Sequence, residues 1–576
     1  MKKSFKLVSS MFRFLFPYLK IEAAIFALGG IGMIFGLINP FIAKLVIDRA
    51  FKDRDLKIFL FLVSLGAIIY MLNGLASGLK VYLERKVKLK VAFDLNRDVF
   101  NHLTGLSLDY FQDKSQGEHA YKFIYHIENV ADFIVTRLSN ILILLFRVLF
   151  TLAIVFRLNR QIAILTLLLT PLFYLFSYHY TQKRIKLYRE SYKNYEYVFR
   201  WLVEFFSKIL LVKAFAAEGR ESGCYLRRLR DNFELNIKNA KLERLGEFGK
   251  DLVIRIIIGL VALWGGYQVI KGRITLGSLS AIMIYLNQLM GLHNEFAGFF
   301  ETMSFSLMSY QEIERILDTK PIVLEAKDAK GVILKRYNIE FRNVSFGYRP
   351  QAWVLKDLNF RIGEESYISI VGPSGCGKTT LLNLALRLYD PQKGDIFMDG
   401  YNLKELDLSS LREGFGIALQ EPFLWNDSVK NNILYARPQA TDEELRQIAG
   451  FCLVDRFIEG LPNKYETIIG EDACKLSEGQ KQKISIARAL IKNPKVLILD
   501  EAMSSMDSAS EEEIMRNIKA SHKEITIITV SHRLSTVLAS DVAYFLKNPG
   551  QIVIAGPKIL LEQDKDFYNL FAAQLK

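Results

Sequence analysis

The sequence predicts an all-α membrane domain of six spans followed by an α/β domain built around a phosphate-binding loop. Three observations carry that prediction. The first half holds a series of apolar stretches near the ~20 residues that a bilayer requires. Residues 368–380 read ISIVGPSGCGKTT, an apolar run ending in a glycine-rich loop. Residues 496–501 read VLILDE, a buried-strand pattern ending in two carboxylates. Composition agrees with a two-part chain: 576 residues are 51% hydrophobic while 24% are charged.

The spans are expected at about 21–46, 58–80, 138–157, 162–180, 247–269 and 279–301. Before them, residues 5–19 mix Phe, Leu and Val with Lys, Arg and Ser ahead of Pro17, which suits a short amphipathic helix in the headgroup region. The stretches 81–137 and 181–246 are long, basic and helical in pattern. At 1.5 Å per residue a helix entering and leaving such a loop reaches roughly 35–40 Å from the membrane. Lys and Arg dominate there (ERKVKLK, TQKRIKLYR, LRRLR), which places these loops on the cytoplasmic side, together with both chain ends. The formal net charge of +14 is read in the same way. Without zinc spacing or an aromatic RNA-binding motif, it does not call for a nucleic-acid partner. No small-residue cleavage site follows the first apolar run, so no signal peptide is expected.

The domain boundaries follow: membrane domain 1–320, linker 321–337 and α/β domain 338–576. Cys224, Cys376, Cys452 and Cys474 form no CxxC pair and are expected to be reduced thiols.

The loop matches G-x-x-x-x-G-K-[ST] without a departure. Gly372, Pro373, Ser374, Gly375, Cys376 and Gly377 let successive backbone N–H groups face one concavity that cradles phosphate oxygens. The helix that follows, from Lys378 through Thr379 and Thr380, adds the positive end of its dipole. Lys378 would neutralise the β- and γ-phosphates, and the Thr379 hydroxyl would ligate Mg²⁺. Asp500 suits a second Mg²⁺ ligand. Glu501 stands where a carboxylate could polarise an attacking water, and His532, after the strand ITIITV, lies at the carboxyl edge of a parallel sheet.

Between these motifs lies LSEGQKQKISIARAL, residues 476–490. With Gln420 in ALQEPFLW, Ser504-Ser505-Met506-Asp507 and His532, the order resembles the nucleotide-binding domain of an ATP-binding cassette (ABC) protein. Six spans with two long cytoplasmic loops extend the resemblance to the exporter type of ABC half-transporter, with coupling segments near 109–117 and 206–214. Phe111 and Gly117 stand where that family tends to place them.

The resemblance implies ATP and Mg²⁺ as ligands, with Tyr348 stacking on adenine and Gln420 touching Mg²⁺ or the attacking water. It implies a dimer in which Ser477, Gly479 and Gln480 of one chain meet the γ-phosphate held by the other. The second half-transporter is expected to be an identical chain, although a different mate fits the sequence as well. Departures are Glu478 where glycine is usual, Ala473 where glycine is common, and SSMD in place of SALD. Glu478 is expected to point to solvent or to a cation, since an inward carboxylate would repel triphosphate.

Charged or ionisable residues inside spans are functional candidates. Arg147, Arg255, His293 and Glu295 could line a cavity for an anionic head group, or Arg255 and Glu295 could pair within the bundle. The expected function is ATP-driven export or flipping of a lipid or amphipathic compound in a bacterial inner membrane. An importer on the same scaffold and a slowly hydrolysing ATP-gated regulator are the competing readings.

Overall fold

The computed structural model describes residues 7, 9–112, 125–325, 329, 331–349, 352–470, 476–521 and 524–575. The chain divides into two compact units, Met1–Lys320 and Pro321–Lys576. Gly117, Ala473 and Cys474 lie outside the described residues. The three described cysteines are unpaired.

The first unit is a bundle of long helices: α1 (Leu19–Leu45), α2 (Leu56–Thr104), α3 (Ile141–Leu158), α4 (Arg160–Ser207), α5 (Glu218–Ile270) and α6 (Leu276–Asp318). Local chemistry starts several of them. Asp55 accepts from the N–H groups of Lys57 and Ile58 before α2. Asn159 caps α4 through Ile162, and Thr275 caps α6 through Ser278. The loops expected to be helical are continuations of the spans, since α2, α4 and α5 run 49, 48 and 53 residues. The segment expected as an amphipathic headgroup helix includes 3₁₀ turns at Phe12–Phe14 and Phe16–Tyr18. Its apolar residues Leu7, Met11 and Leu15 are buried in the bundle, against the i, i+4 stripe Val87, Val91, Leu95 and Val99 of α2.

One expectation needs correction. Among the described residues five helices, not six, are long and apolar enough to cross a membrane by composition. The sixth predicted span, 279–301, is helical within α6 but carries Asn287, Gln288, His293, Asn294 and Glu295. Two of these polar groups, Gln288 and His293, bond to neighbouring helices, as does Tyr285. Gln288 Nε2 donates to Gly36 O of α1 at 3.2 Å, and Tyr285 Oη donates to Leu37 O at 2.5 Å. Tyr174 of α4 meets His293 Nδ1 at 2.7 Å. A helix embedded among others can be less apolar than its lipid-facing neighbours. Ala281, Ile282, Leu286 and Leu289 of α6 are fully buried against α3, α4 and α5.

The second unit carries two sheets. A four-stranded antiparallel sheet has the order β2-β1-β4-β5: β1 (Ile339–Phe346), β2 (Leu355–Ile362), β4 (Lys393–Met398) and β5 (Tyr401–Asn402). A six-stranded sheet has the order β10-β9-β3-β8-β7-β6: β3 (Tyr367–Val371), β6 (Phe415–Ala418), β7 (Val496–Asp500), β8 (Thr526–Val530), β9 (Val542–Asn548) and β10 (Gln551–Ala555). Every residue of β3, β7 and β8 is buried, as continuous apolar runs in a covered parallel sheet require. The strands β6, β7, β8 and β3 are parallel neighbours, so their carboxyl ends share one edge. Ligands bind at that edge in such sheets.

Candidate nucleotide-hydrolysis site

The predicted residues arrive at this edge from four strands. The loop 372–377 leaves β3 and enters α7 (Lys378–Ala385). Gln420 lies two residues past β6, Asp500 ends β7 with Glu501 next, and His532 lies two residues past β8. Gly375 and Gly377 have φ of +80° and +103°. At Gly377 a Cβ would also come within 2.7 Å of Leu355, so both space and conformation demand glycine. Lys378 is buried, and its ammonium donates to the carbonyls of Gly372 and Pro373 at 2.8 and 3.0 Å. These bonds fold the lysine over the loop, where it can turn to an incoming phosphate. Cys376 is buried beside it, and burial pushes its thiol pKa up, which makes it an unreactive packing residue.

The Thr379 hydroxyl faces Asp500 Oδ2 at 3.5 Å. Burial, and then the charge of Glu501, raise the Asp500 pKa. A hydroxyl beside a buried carboxylate offers the oxygen donors that a hard divalent cation prefers, so Thr379 and Asp500 suit Mg²⁺. The sign of the pKa shift gives a prediction. A carboxyl whose folded pKa is raised adds stability below its unfolded value of 3.8 and loses it as pH rises through the folded value. At neutral pH the ionised Asp500 therefore weighs against the nucleotide-free fold. Asp500→Asn is expected to raise the melting temperature in EDTA. MgATP should then add less than it adds to the parent protein. Scanning fluorimetry showing an unchanged or lower midpoint in EDTA would sink this account.

Glu501 sits between two donors. Gln420 Nε2 donates to Oε2 at 2.8 Å, and His532 Nε2 lies 3.2 Å from Oε1. The backbone at Glu501 has φ +49°, an uncommon conformation for glutamate, held by its N–H on Val530 O at 3.0 Å. Tyr348 is 47% exposed, with edge-on contacts to Phe346 and Tyr389 at 5.0 and 5.3 Å. Its hydroxyl lies 3.2 Å from Thr380 Oγ1, so the exposed ring stands near the start of α7.

Ser477 caps α8 (Glu478–Leu490) in a capping box with Gln480: the serine oxygen accepts from Gln480 N, and Gln480 Oε1 accepts from Ser477 N at 2.9 Å. The Gln480 side chain thus has a local duty, while the Ser477 O–H proton remains to be donated. Glu478 is exposed and paired with Lys481 at 2.8 Å, both outcomes expected of it. At Gly479 a Cβ would sit 3.1 Å from Ser505 O, so glycine lets the signature approach the 504–507 turn.

Sequence reasoning missed the residues that brace this arrangement. Buried Gln482 accepts from Ser505 N at 3.1 Å, tying α8 to the same turn. Arg533 donates to Glu511 at 2.5 Å and to the carbonyls of Ser504 and Met506 at 2.8 and 3.0 Å. Gln574 bonds the backbone on both sides of Arg533. No motif marks Gln574. Arg533 was visible only as the residue after His532.

In the first unit the predicted substrate residues separate. Arg147 and Glu295 line one cavity of about 290 Å³ together with Lys80 and Arg137. Arg255 does not line it, and no ion pair joins Arg255 to Glu295 among the described residues. His293 is buried against Tyr174, with its Nε2 lacking a partner among the described residues.

The family model described as ABC transporter transmembrane region matches residues 23–293, and the one described as ABC transporter matches residues 355–504. A putative multidrug export ATP-binding/permease protein of Staphylococcus aureus is 31% identical over 580 residues, covering 99% of this chain and all of the relative. The chain belongs to the ABC transporter family. An uncharacterized ABC transporter ATP-binding protein of Bacillus subtilis is 30% identical over 557 residues, 95% of this chain and 90% of the relative. The structure of a bacterial Atm1-family ABC exporter with ATP bound superposes with a TM-score of 0.89 at 27% identity, covering 97% and 98% of the two chains. The transporter is thus a multi-pass membrane protein that binds ATP and couples its hydrolysis to export.

Proposed function

We propose that two copies of this transporter export an amphiphile, lipid or lipid-like, that carries an anionic group. The observation behind the substrate class is the cavity lined by Lys80, Arg137 and Arg147. Lys80 has a counterion in Glu84 at 3.5 Å, but the guanidinium groups of Arg137 and Arg147 have no acidic partner among the described residues. Arg147 lies against Gly36 of α1, where a Cβ would come 3.5 Å from its Nη2. Unneutralised cations within a membrane bundle are costly and persist where function uses them. Three cations against one cavity acid, Glu295, favour a phosphate or carboxylate over a cationic drug.

In the nucleotide site, the loop 372–377 and Lys378 bind the phosphates while Tyr348 offers its ring to the adenine. Thr379 and Asp500, with Gln420, would hold Mg²⁺, which supplies charge neutralisation between the phosphates. Glu501 takes the proton of the attacking water, and His532 and Gln420 fix the carboxylate by bonding its two oxygens. Ser477 and Gly479 of a second copy complete the site. Each chain carries one of each part, so two identical chains make two competent sites. The basic loops and the nucleotide domain face the cytoplasm, and substrate is drawn from that side.

The test uses purified transporter in lipid nanodiscs, with ATP hydrolysis measured against anionic phospholipids, lipid-linked sugars, hydrophobic peptides and cationic drugs. Stimulation by the anionic class is expected, with about a tenfold loss of that stimulation in Arg137→Ala/Arg147→Ala. Undiminished stimulation in the double variant, or stimulation by cationic drugs alone, rejects the anionic substrate. Absence of hydrolysis by the chain alone rejects the homodimer in favour of a different mate.

A further inference from the structure

The imidazole of His532 is not held in place by packing. Its side chain is 49% exposed, and a cavity of about 60 Å³ opens behind it among Glu501, Glu511, Arg533 and Thr536. A half-exposed ring beside open volume takes its position from its 3.2 Å contact with Glu501 and from its own backbone. Within the loop Ser531 Oγ accepts from Arg533 N at 3.0 Å, and from outside it Gln574 grips the backbone at two points. Gln574 Nε2 donates to His532 O at 2.7 Å, and Leu534 N donates to Gln574 Oε1 at 2.7 Å. The two ends of one planar amide thus match an acceptor and a donor two residues apart, and the loop between them can neither rotate nor slide without breaking a bond.

Gln574 is itself well placed. Its N–H bonds Phe571 O at 2.8 Å, closing the turn after the helix Lys565–Phe571. Phe567 and Phe571 are buried in one cluster with Leu534, Val537 and Val371. Val371 is the last residue of β3, directly before the phosphate loop. One apolar cluster therefore references the His532 loop and the phosphate loop to each other, and Gln574 carries that reference into the His532 backbone.

We propose that Gln574 is a positioning residue for ATP hydrolysis, acting through the backbone of His532 to keep the imidazole on Glu501. The inference rests on reading Glu501 and His532 as the hydrolytic pair, which Glu501→Gln tests on its own. Misplacement of a catalytic group by about 1 Å can cost on the order of 10²-fold in rate. Loss of an exposed clip, with Arg533 still anchored, is expected to cost about tenfold.

The experiment is single-turnover hydrolysis by the full-length transporter, which keeps slow variants readable. Gln574→Ala is expected to lower the rate about tenfold with the ATP concentration for half-maximal rate unchanged within twofold. Gln574→Glu keeps the acceptor for Leu534 N but loses the donor to His532 O, and should behave like the alanine variant. The deciding comparison is His532→Ala against His532→Ala/Gln574→Ala. If Gln574 acts through the imidazole, the second change has no further effect in that background. A parent-like rate in Gln574→Ala, or the same fold loss with and without His532, overturns the proposal. A Glu501→Gln variant that still hydrolyses ATP overturns the reading beneath it instead.

Discussion

Glu501→Gln is expected to lower the rate of ATP hydrolysis by about 10²–10³-fold, within the range that general-base catalysis contributes. The substitution keeps the side-chain shape but removes the basic oxygen. Glu501 accepts from Gln420 at 2.8 Å and faces His532 at 3.2 Å, one partner on each carboxylate oxygen. A glutamine offers one oxygen and one NH₂, so one of the two contacts must lose its acceptor as well. ATP binding should survive, because Lys378, Tyr348 and the loop 372–377 do not bond this side chain. The expected signature is therefore a collapse of kcat with ATP affinity held within a few-fold, read by hydrolysis assays beside nucleotide-binding titration. If more than a tenth of the activity remains, the water is activated by another group and the assignment of Glu501 fails.

The nucleotide site was largely legible because its requirements are local. A loop needing positive φ at Gly375 and Gly377 and a lysine at the next position is written in adjacent letters. Asp500 and Glu501 follow from a buried strand ending at a sheet edge. The braces were not legible, since Gln574 meets His532 across 42 positions and Gln482 meets Ser505 across 23. Those contacts depend on how strands and helices are laid side by side.

In the membrane unit the limit was different. Helical spans were readable from apolar runs, but the rotation of a helix about its axis was not. In the sequence Arg147 and Arg255 read alike, as arginines inside apolar spans. Only the packing of α2, α3 and α6 puts Arg147 with Lys80 and Arg137 and leaves Arg255 elsewhere. In the sequence Lys80 is only the last residue of the expected span 58–80. The sixth expected span is less apolar for a related reason, since Gln288 and His293 bond other helices.

Arg387→Ala is expected to destabilise the nucleotide-binding unit by about 3 kcal/mol, the cost of breaking a buried charged pair by removing one partner. Arg387 follows α7 and is 1% exposed. Its guanidinium reaches Asp390 at 3.1 Å, Leu406 O at 3.2 Å and Leu324 O at 2.9 Å. Alanine leaves those acceptors unpaired and a cavity where the side chain lay. In a domain of this size the loss should lower the melting midpoint by roughly 6–12 °C. The transition to follow is the one that MgATP shifts upward, which assigns it to this unit. Arg387→Lys should recover only part of the loss, because a single ammonium cannot spread over three acceptors as a planar fork does. Leu324 belongs to the segment expected as the linker, so this arginine also fastens the linker to the nucleotide-binding unit. The variant should therefore lose substrate stimulation of hydrolysis at temperatures where it is still folded and binds ATP. A midpoint within 2 °C of the parent would show that the three acceptors find water instead, and a melted variant that keeps full stimulation up to its midpoint would separate the linker anchor from coupling.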